Sequence, residues 1–327
     1  MTENDPPGGS LRVTVPGQRW LDPWVDLGAD ATAARPAGID LVVWDLVGPV
    51  PLDAVGRPRA EVVVAPYVDA VDVLHRVAEV TDLQLVQTLT AGYDGLVDKL
   101  PPGVGLAIAS GVHDASTAEL AVGLTLAALR GLGAAAVDAL TGTWRHQTRS
   151  SLADRRVLLV GVGSVGRAVA ARLAPFEVTL TRVGRSGRDD EHGRVHGTAE
   201  LPDLLPVHDV VILVTPLTPS TRGLVDRQFL AAMPDGALLV NVARGPVVVT
   251  DALLAELRSG RLHAALDVTD PEPLPPDHPL WRAPNLLVSP HLGGDSTAFP
   301  PRARALLRDQ LGRLAAGRKV LHLVHQG

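Results

Sequence analysis

Residues 157–170 read Val-Leu-Leu-Val-Gly-Val-Gly-Ser-Val-Gly-Arg-Ala-Val-Ala: an apolar, strand-like run feeds a G-x-G-x-x-G turn and opens directly into an alanine-rich helical pattern. Each glycine answers a separate steric demand in such a unit. Gly161 permits the tight turn, Gly163 lets the backbone come close to a pyrophosphate, and Gly166 lets helix and strand pack closely. Ser164 and Val165 then stand at the helix start, where free N–H groups and the positive end of the helix dipole face the phosphates. The glycine pattern alone is common. Placed between a strand and a helix, it predicts a dinucleotide-binding unit.

Short apolar runs alternate with helical spacing along most of the chain, which predicts an α/β protein with parallel sheets. Strands are expected at 40–44, 61–65 and 83–88, with helical spacing at 68–80 and a long helix near 116–132. A polar connector, 143–155, leads to the glycine turn. Further strands are expected at 178–183, 210–215, 237–242, 264–268 and 286–289, followed by a last helix at 303–316 that could return to the first unit. The proline-rich stretch 270–279 reads as loop, since few of its residues could donate to a ladder. The 327 residues suffice for two cores, so the pattern gives two α/β halves with a cleft between them.

Bulk properties narrow the function. The formal net charge is −6 with no polybasic block, so neither nucleic acid nor an anionic membrane is an expected partner. Cysteine is absent, which excludes disulfides, zinc thiolates and thiol nucleophiles and fits a cytoplasmic home. Residues 1–10 are polar and rich in proline and glycine, a loose tail rather than a signal peptide. Glu119, Arg130 and Asp138 interrupt the apolar stretch 117–140, so it reads as a buried helix and not a membrane span.

Three strand ends carry candidate chemistry. The run 237–242 ends in Ala243-Arg244-Gly245, and ligands of open α/β sheets sit at the carboxyl ends of strands. An arginine there can grip a carboxylate with two parallel hydrogen bonds; on position alone, a surface arginine paired with a neighbour fits as well. Leu266-Asp267-Val268 leads to Glu272, and Val288-Ser289-Pro290 leads to His291. A carboxylate beside an imidazole raises its pKa and fixes its orientation, giving a proton donor near neutral pH. A lone loop glutamate is usually solvated and a lone histidine usually structural. Arginine, glutamate and histidine at three successive strand ends behind a dinucleotide turn are harder to set aside.

With these residues in view, the chain resembles the D-isomer-specific 2-hydroxyacid dehydrogenase family. The resemblance is carried by the glycine turn, Thr215-Pro216-Leu217-Thr218-Pro219-Ser220-Thr221, Asn241-Val242-Ala243-Arg244-Gly245, His278-Pro279-Leu280-Trp281 and Ser289-Pro290-His291, in the family's order. Ser116-Thr117-Ala118-Glu119 and Ala91-Gly92-Tyr93-Asp94 are similar to weaker motifs upstream, and residues 1–66 carry little signal. The resemblance implies two Rossmann-like or flavodoxin-like α/β domains. A discontinuous substrate domain (1–114 and 293–327) would surround a dinucleotide domain (115–292), with the cofactor in the cleft. It implies that Arg244 binds the carboxylate of a 2-oxo acid, that His291 protonates the carbonyl oxygen, and that Glu272 holds His291 in its acid form. It implies that Asp267 meets the nicotinamide carboxamide and that Thr215, Pro216, Val242 and Gly293 line the cofactor site. The backbone of Ala91 and Gly92, and less securely Pro66 and Tyr67, would lie near the substrate. Formate dehydrogenases of the same superfamily pair their histidine with glutamine, so Glu272 argues against that branch.

A Rossmann unit selective for NAD places an acid about 20 residues past the first glycine. Arg182, followed by Arg185 and Ser186, occupies that region here. An arginine pair and a hydroxyl would welcome a 2′-phosphate, so NADP(H) is expected over NAD(H); arginines turned to solvent would leave NAD. Asp189, Asp190 and Glu191 are expected in a solvated loop beyond the strand. The activity expected is reduction of a small 2-oxo acid to a 2-hydroxy acid, of the glyoxylate/hydroxypyruvate kind. Phosphite or phosphoglycerate dehydrogenase is the alternative, and a dinucleotide-sensing corepressor the more distant one. Residues 120–140 could form a two-fold interface or be buried within the subunit; the resemblance favours a homodimer.

Overall fold

A computed structural model describes residues 10–21 and 36–327. Of the tail expected at 1–10, all but Ser10 lies outside the described residues. The chain divides into two compact units, one formed by the residues up to His113 with Thr297–Gly327, the other by Asp114–Ser296.

In the first unit, β1 (Leu11–Val15), β2 (Ile39–Val43), β3 (Val62–Val64), β4 (Leu85–Gln87) and β5 (Gly105–Ala107) form a parallel sheet in the order β2-β1-β3-β4-β5. This is the flavodoxin-like doubly wound order. The C-terminal strand Leu323–His325 (β14) closes the β5 edge in antiparallel sense. Strand β1 gave little signal because Arg12 and Thr14 interrupt its apolar run; Arg12 Nη1 donates to Asp40 and Nη2 to the Leu52 carbonyl. The helical spacing at 68–80 yields only one α-turn, α1 (Ala70–Val73), and then 3-10 turns over Leu74–Glu79. The three-residue period of those turns brings Leu74 and Val77 together onto the core. The helix Phe299–Ala315 (α8) lays Phe299, Ala303, Leu307 and Leu311, spaced by four, against Val13, Val62 and Leu85.

The second unit holds β6 (Arg156–Val160), β7 (Thr179–Gly184), β8 (Arg188–Asp190), β9 (Gly193–Gly197), β10 (Val210–Leu213), β11 (Leu238–Asn241), β12 (His263–Leu266) and β13 (Leu286–Val288). Their order is β8-β9-β7-β6-β10-β11-β12-β13, parallel except for β8. The run β9-β7-β6-β10-β11-β12 is the 3-2-1-4-5-6 order of a Rossmann sheet, and its switch point lies between β6 and β10. Both faces are covered. Val157 and Leu159 pack under α2 (Asp114–Arg130) and α4 (Ser164–Leu173), while Leu158 and Val160 pack under α6 (Arg227–Ala232) and α7 (Thr250–Ser259). Double coverage is why these strands read as unbroken apolar runs.

Two expectations are corrected here. The apolar stretch 117–140 is not one buried helix. It breaks at Gly131 (φ 65°) into α2 and α3 (Leu132–Leu140), bent by 66°. Helix α3 has no buried residue, and Leu132, Val137 and Leu140 are exposed. Among the described residues no single helix is long and apolar enough to cross a membrane. Residues 189–191 are not simply loop either, because β8 folds back on β9 and returns Asp190 to Arg182.

Candidate active site

The glycine turn sits at the switch point of the second sheet. Gly161, at φ 119°, lies where a Cβ would meet the Val214 backbone at 2.8 Å, and a Cβ on Gly166 would collide with the Gly161 carbonyl. Gly163 differs: no atom lies within 4 Å of where its Cβ would be. The turn is therefore packed tight on the protein side and open on the side a pyrophosphate would approach. Gly163 caps α4 in an extended conformation, and Ser164 and Val165 begin the helix. Just past β10, the Thr215 hydroxyl is buried without a hydrogen-bond partner among the described residues, and exposed Pro216 follows. A buried orphan hydroxyl beside an open glycine turn fits a bound dinucleotide better than an empty surface. Val242, just past β11, is buried, and Asp267, just past β12, is 3% exposed.

Arg182 does not belong to this site. It lies inside β7, nearly buried, and grips both oxygens of Asp190 at 3.0 and 2.8 Å while donating to the Gly193 carbonyl at 2.9 Å. That bidentate hydrogen bonding, followed by the backbone N–H of His192, holds the Asp190 carboxyl at about 2. The pair anchors the β8–β9 hairpin. The strand end facing the glycine turn is instead Gly184, where a Cβ would meet Val162 Cγ2 at 3.0 Å and Arg188 Nη1 at 3.1 Å. Arg185 and Ser186 follow it, exposed, and the Arg185 guanidinium has no partner among the described residues. The position for an NAD-selecting acid thus carries no side chain, with Arg185, Ser186 and Arg188 around it. Counting residues from the first glycine misplaced it by two, because β7 runs on to Gly184.

The three strand-end residues do converge. His291 Nδ1 lies 2.5 Å from Glu272 Oε1, with the side chains 49% and 37% exposed. The Glu272 hydrogen bond raises the His291 pKa above its ordinary value, against burial and against the nearby positive charge of Arg244. Burial pushes Glu272 up, but the His291 hydrogen bond and charge, the Thr269 N–H and Arg244 bring it below the ordinary glutamate value. Each group therefore favours the charged form of the other. Arg244 starts from an extended backbone that Asn241 fixes, accepting from Ala243 N at 3.0 Å and donating to the Arg244 carbonyl at 3.0 Å. Gly245 abuts the Thr269 carbonyl, where any Cβ would clash, so the arginine turn and the Glu272 loop are packed backbone to backbone.

Asp267 organises the His291 loop. Its Oδ1 accepts from Ser289 Oγ at 2.6 Å and Leu292 N at 2.8 Å, its Oδ2 from Gly293 N at 2.9 Å. Its carbonyl accepts from His291 N at 2.8 Å. These bonds bracket His291, which occupies the left-handed region at φ 54°, a conformation that needs such support in a residue with a Cβ. Asn241, Gly245, Thr269 and Ser289 are the residues that sequence reasoning left without a role. Asn241, Gly245 and Ser289 were visible in the quoted motifs, whereas Thr269 carried no signal. Ala91 and Gly92 belong to the first unit, just past β4, where Thr90 Oγ1 donates to the Gly92 carbonyl at 2.8 Å. Pro66 and Tyr67 follow β3 in that unit, and Tyr67 stacks on His113 and lies against Phe299.

Comparison with known proteins identifies the family. A sequence model of the D-isomer specific 2-hydroxyacid dehydrogenase NAD binding domain matches residues 122–293. The glyoxylate reductase/hydroxypyruvate reductase of Homo sapiens is 33% identical over 272 residues, 80% of this chain and 83% of that protein. The crystal structure of a D-isomer specific 2-hydroxyacid dehydrogenase from Xanthobacter autotrophicus, in complex with NADPH and MES, superposes with a TM-score of 0.78 at 30% identity, covering 98% of this chain and 99% of that one. An NADPH-dependent glyoxylate/hydroxypyruvate reductase from Sinorhizobium meliloti, in complex with NADP and malonate, gives a TM-score of 0.74 at 26% identity, with 96% of each chain covered. The motif order, the Rossmann sheet and these matches together make the chain a member of the D-isomer specific 2-hydroxyacid dehydrogenase family, an NAD(P)-dependent oxidoreductase.

Proposed function

We propose that this dehydrogenase reduces a small 2-oxo acid of the glyoxylate/hydroxypyruvate kind, with NADPH preferred over NADH, through Arg244, Glu272 and His291. The observation that carries the reading is the hydrogen-bonded His291–Glu272 pair with Arg244 near enough to act on both electrostatically. Arg244 binds the substrate carboxylate and polarises the neighbouring carbonyl. Glu272 occupies Nδ1 of His291, so the imidazolium offers its Nε2 proton to the carbonyl oxygen. A reduced nicotinamide, when bound, would supply the hydride to the carbonyl carbon. Proton and hydride together convert the 2-oxo acid to a 2-hydroxy acid, and His291 regains a proton from solvent. Asp267 keeps the loop fixed through these changes and has an Oδ2 lone pair left for the carboxamide.

The NADPH preference rests on Gly184 in place of an acid and on Arg185, Ser186 and Arg188 around it, a set that would pair with a 2′-phosphate. Arg182 no longer contributes. Both structural neighbours described above carry NADPH or NADP. We further propose a cytoplasmic homodimer: Leu132, Val137, Leu140 and Trp144 are large apolar side chains left exposed along one segment, which a second copy would cover. The test is kcat/KM for glyoxylate and hydroxypyruvate with NADPH and with NADH. Faster turnover with NADPH supports the reading, faster turnover with NADH overturns the cofactor assignment, and no turnover of any 2-oxo acid overturns the reaction.

A further inference from the structure

The first turn of α2 holds a charge that the hydride-transfer chemistry does not use. Asp114, the first residue of α2, accepts from Ser164 Oγ at 3.0 Å, and Ser164 is the first residue of α4 after its cap Gly163. A carboxylate can only accept, so the Ser164 proton is directed to Asp114. The glycine turn is left to offer a pyrophosphate its backbone N–H groups without the serine proton. A negative charge stands one hydrogen bond away. One turn further along α2, Thr117 Oγ1 donates to the Gly293 carbonyl at 3.0 Å, which ties this end of the helix to the His291 loop and keeps Asp114 in place.

Resting on the dinucleotide reading above, we propose that Asp114 limits cofactor affinity: its carboxylate opposes the pyrophosphate and withholds the Ser164 proton, so binding is weaker and release faster than the glycine turn alone would give. Electrostatics at a helix start favours anionic ligands. A fixed carboxylate at the same place works against them, and more strongly at low ionic strength.

The test is direct titration of the intact protein with NADPH, read by nicotinamide fluorescence, with dissociation followed by stopped flow. Asp114→Asn removes the charge and keeps a side chain suited to a helix start. It is expected to tighten binding by about threefold or more at low salt, the size of one screened charge pair in water-like surroundings, with slower dissociation and a gain that shrinks as salt rises. A gain of affinity cannot come from a damaged fold. Asp114→Thr, which also removes the charge and keeps an oxygen at the helix start, is expected to act in the same direction. Asp203→Asn, on the exposed side of α5 (Leu201–Leu204), changes the net charge equally and is expected to leave affinity unchanged. Equal or weaker binding by Asp114→Asn, or the same gain in Asp203→Asn, overturns the role of Asp114 while leaving the dinucleotide site intact. Failure of the wild-type protein to bind NADPH overturns both.

Discussion

Replacing Glu272 by glutamine isolates the charge of the pair from its geometry. The amide oxygen can still accept from His291 Nδ1, so the ring keeps its orientation, but the carboxylate that favours imidazolium is gone. Two unit charges about 4 Å apart interact by about 1 kcal/mol in bulk water and about 4 kcal/mol at an effective dielectric of 20. With side chains 49% and 37% exposed, the pair is screened and belongs near the lower figure. About 1.4 kcal/mol corresponds to one pKa unit. Reduction needs His291 protonated, and its folded pKa is raised, so wild-type kcat/KM for the 2-oxo acid falls as pH rises through that raised value. In Glu272→Gln the same fall begins at lower pH. The variant approaches wild type at acidic pH and lags about fivefold on the alkaline side. Oxidation of the 2-hydroxy acid, which needs neutral His291, shifts its rise to lower pH by the same amount. Initial rates across a pH series with saturating NADPH measure this. An inflection that stays in place, or a loss equal at every pH, would refute the reasoning.

Other perturbations follow from the same geometry. Arg244→Ala lowers kcat/KM for the 2-oxo acid by about 10² or more with an unchanged circular-dichroism spectrum, because the carboxylate loses its bidentate partner. Arg185→Ala raises KM for NADPH about tenfold and leaves KM for NADH unchanged, whereas Arg182→Ala lowers Tm by freeing Asp190 and leaves the NADPH/NADH ratio alone. Val137→Asp with Leu140→Asp is expected to convert the proposed dimer to monomer in sedimentation experiments. His208 is held neutral chiefly by burial, with ring nitrogens on the Leu204 carbonyl and the Thr181 hydroxyl. Its lowered pKa means the unfolded chain gains the proton first, so Tm falls as pH drops below about 6.5, and His208→Gln flattens that part of the profile.

The second unit was far more legible in the sequence than the first. Its strands are buried on both faces and read as unbroken apolar runs, and its turns carry glycines with no steric substitute. Strand β1, interrupted by Arg12 and Thr14, gave no such run, and β5 is only Gly105–Ala107. At the site, Arg244, Glu272 and His291 stood at strand ends where alternation of strand and helix made position readable. Their support was not readable. That Asp267 would bracket His291 through Ser289, Leu292 and Gly293 depends on how two loops meet. Arg182 was misread for a related reason. Its role depends on Asp190, returned by a short hairpin that no apolar pattern announces, and a charged residue in a strand looks available until its partner is seen. The break at Gly131 had a local signal in the glycine itself, overshadowed by apolar residues on either side.

Transfer of deuterium from NADPH deuterated at both C4 positions to glyoxylate or hydroxypyruvate, followed by mass spectrometry in wild-type protein and in His291→Ala, tests the central claim most directly. The account predicts a 2-hydroxy acid carrying deuterium at C2 from the wild type, and at least about a hundredfold slower formation of it in folded His291→Ala. Product without deuterium, or a wild-type rate in the variant, would contradict it.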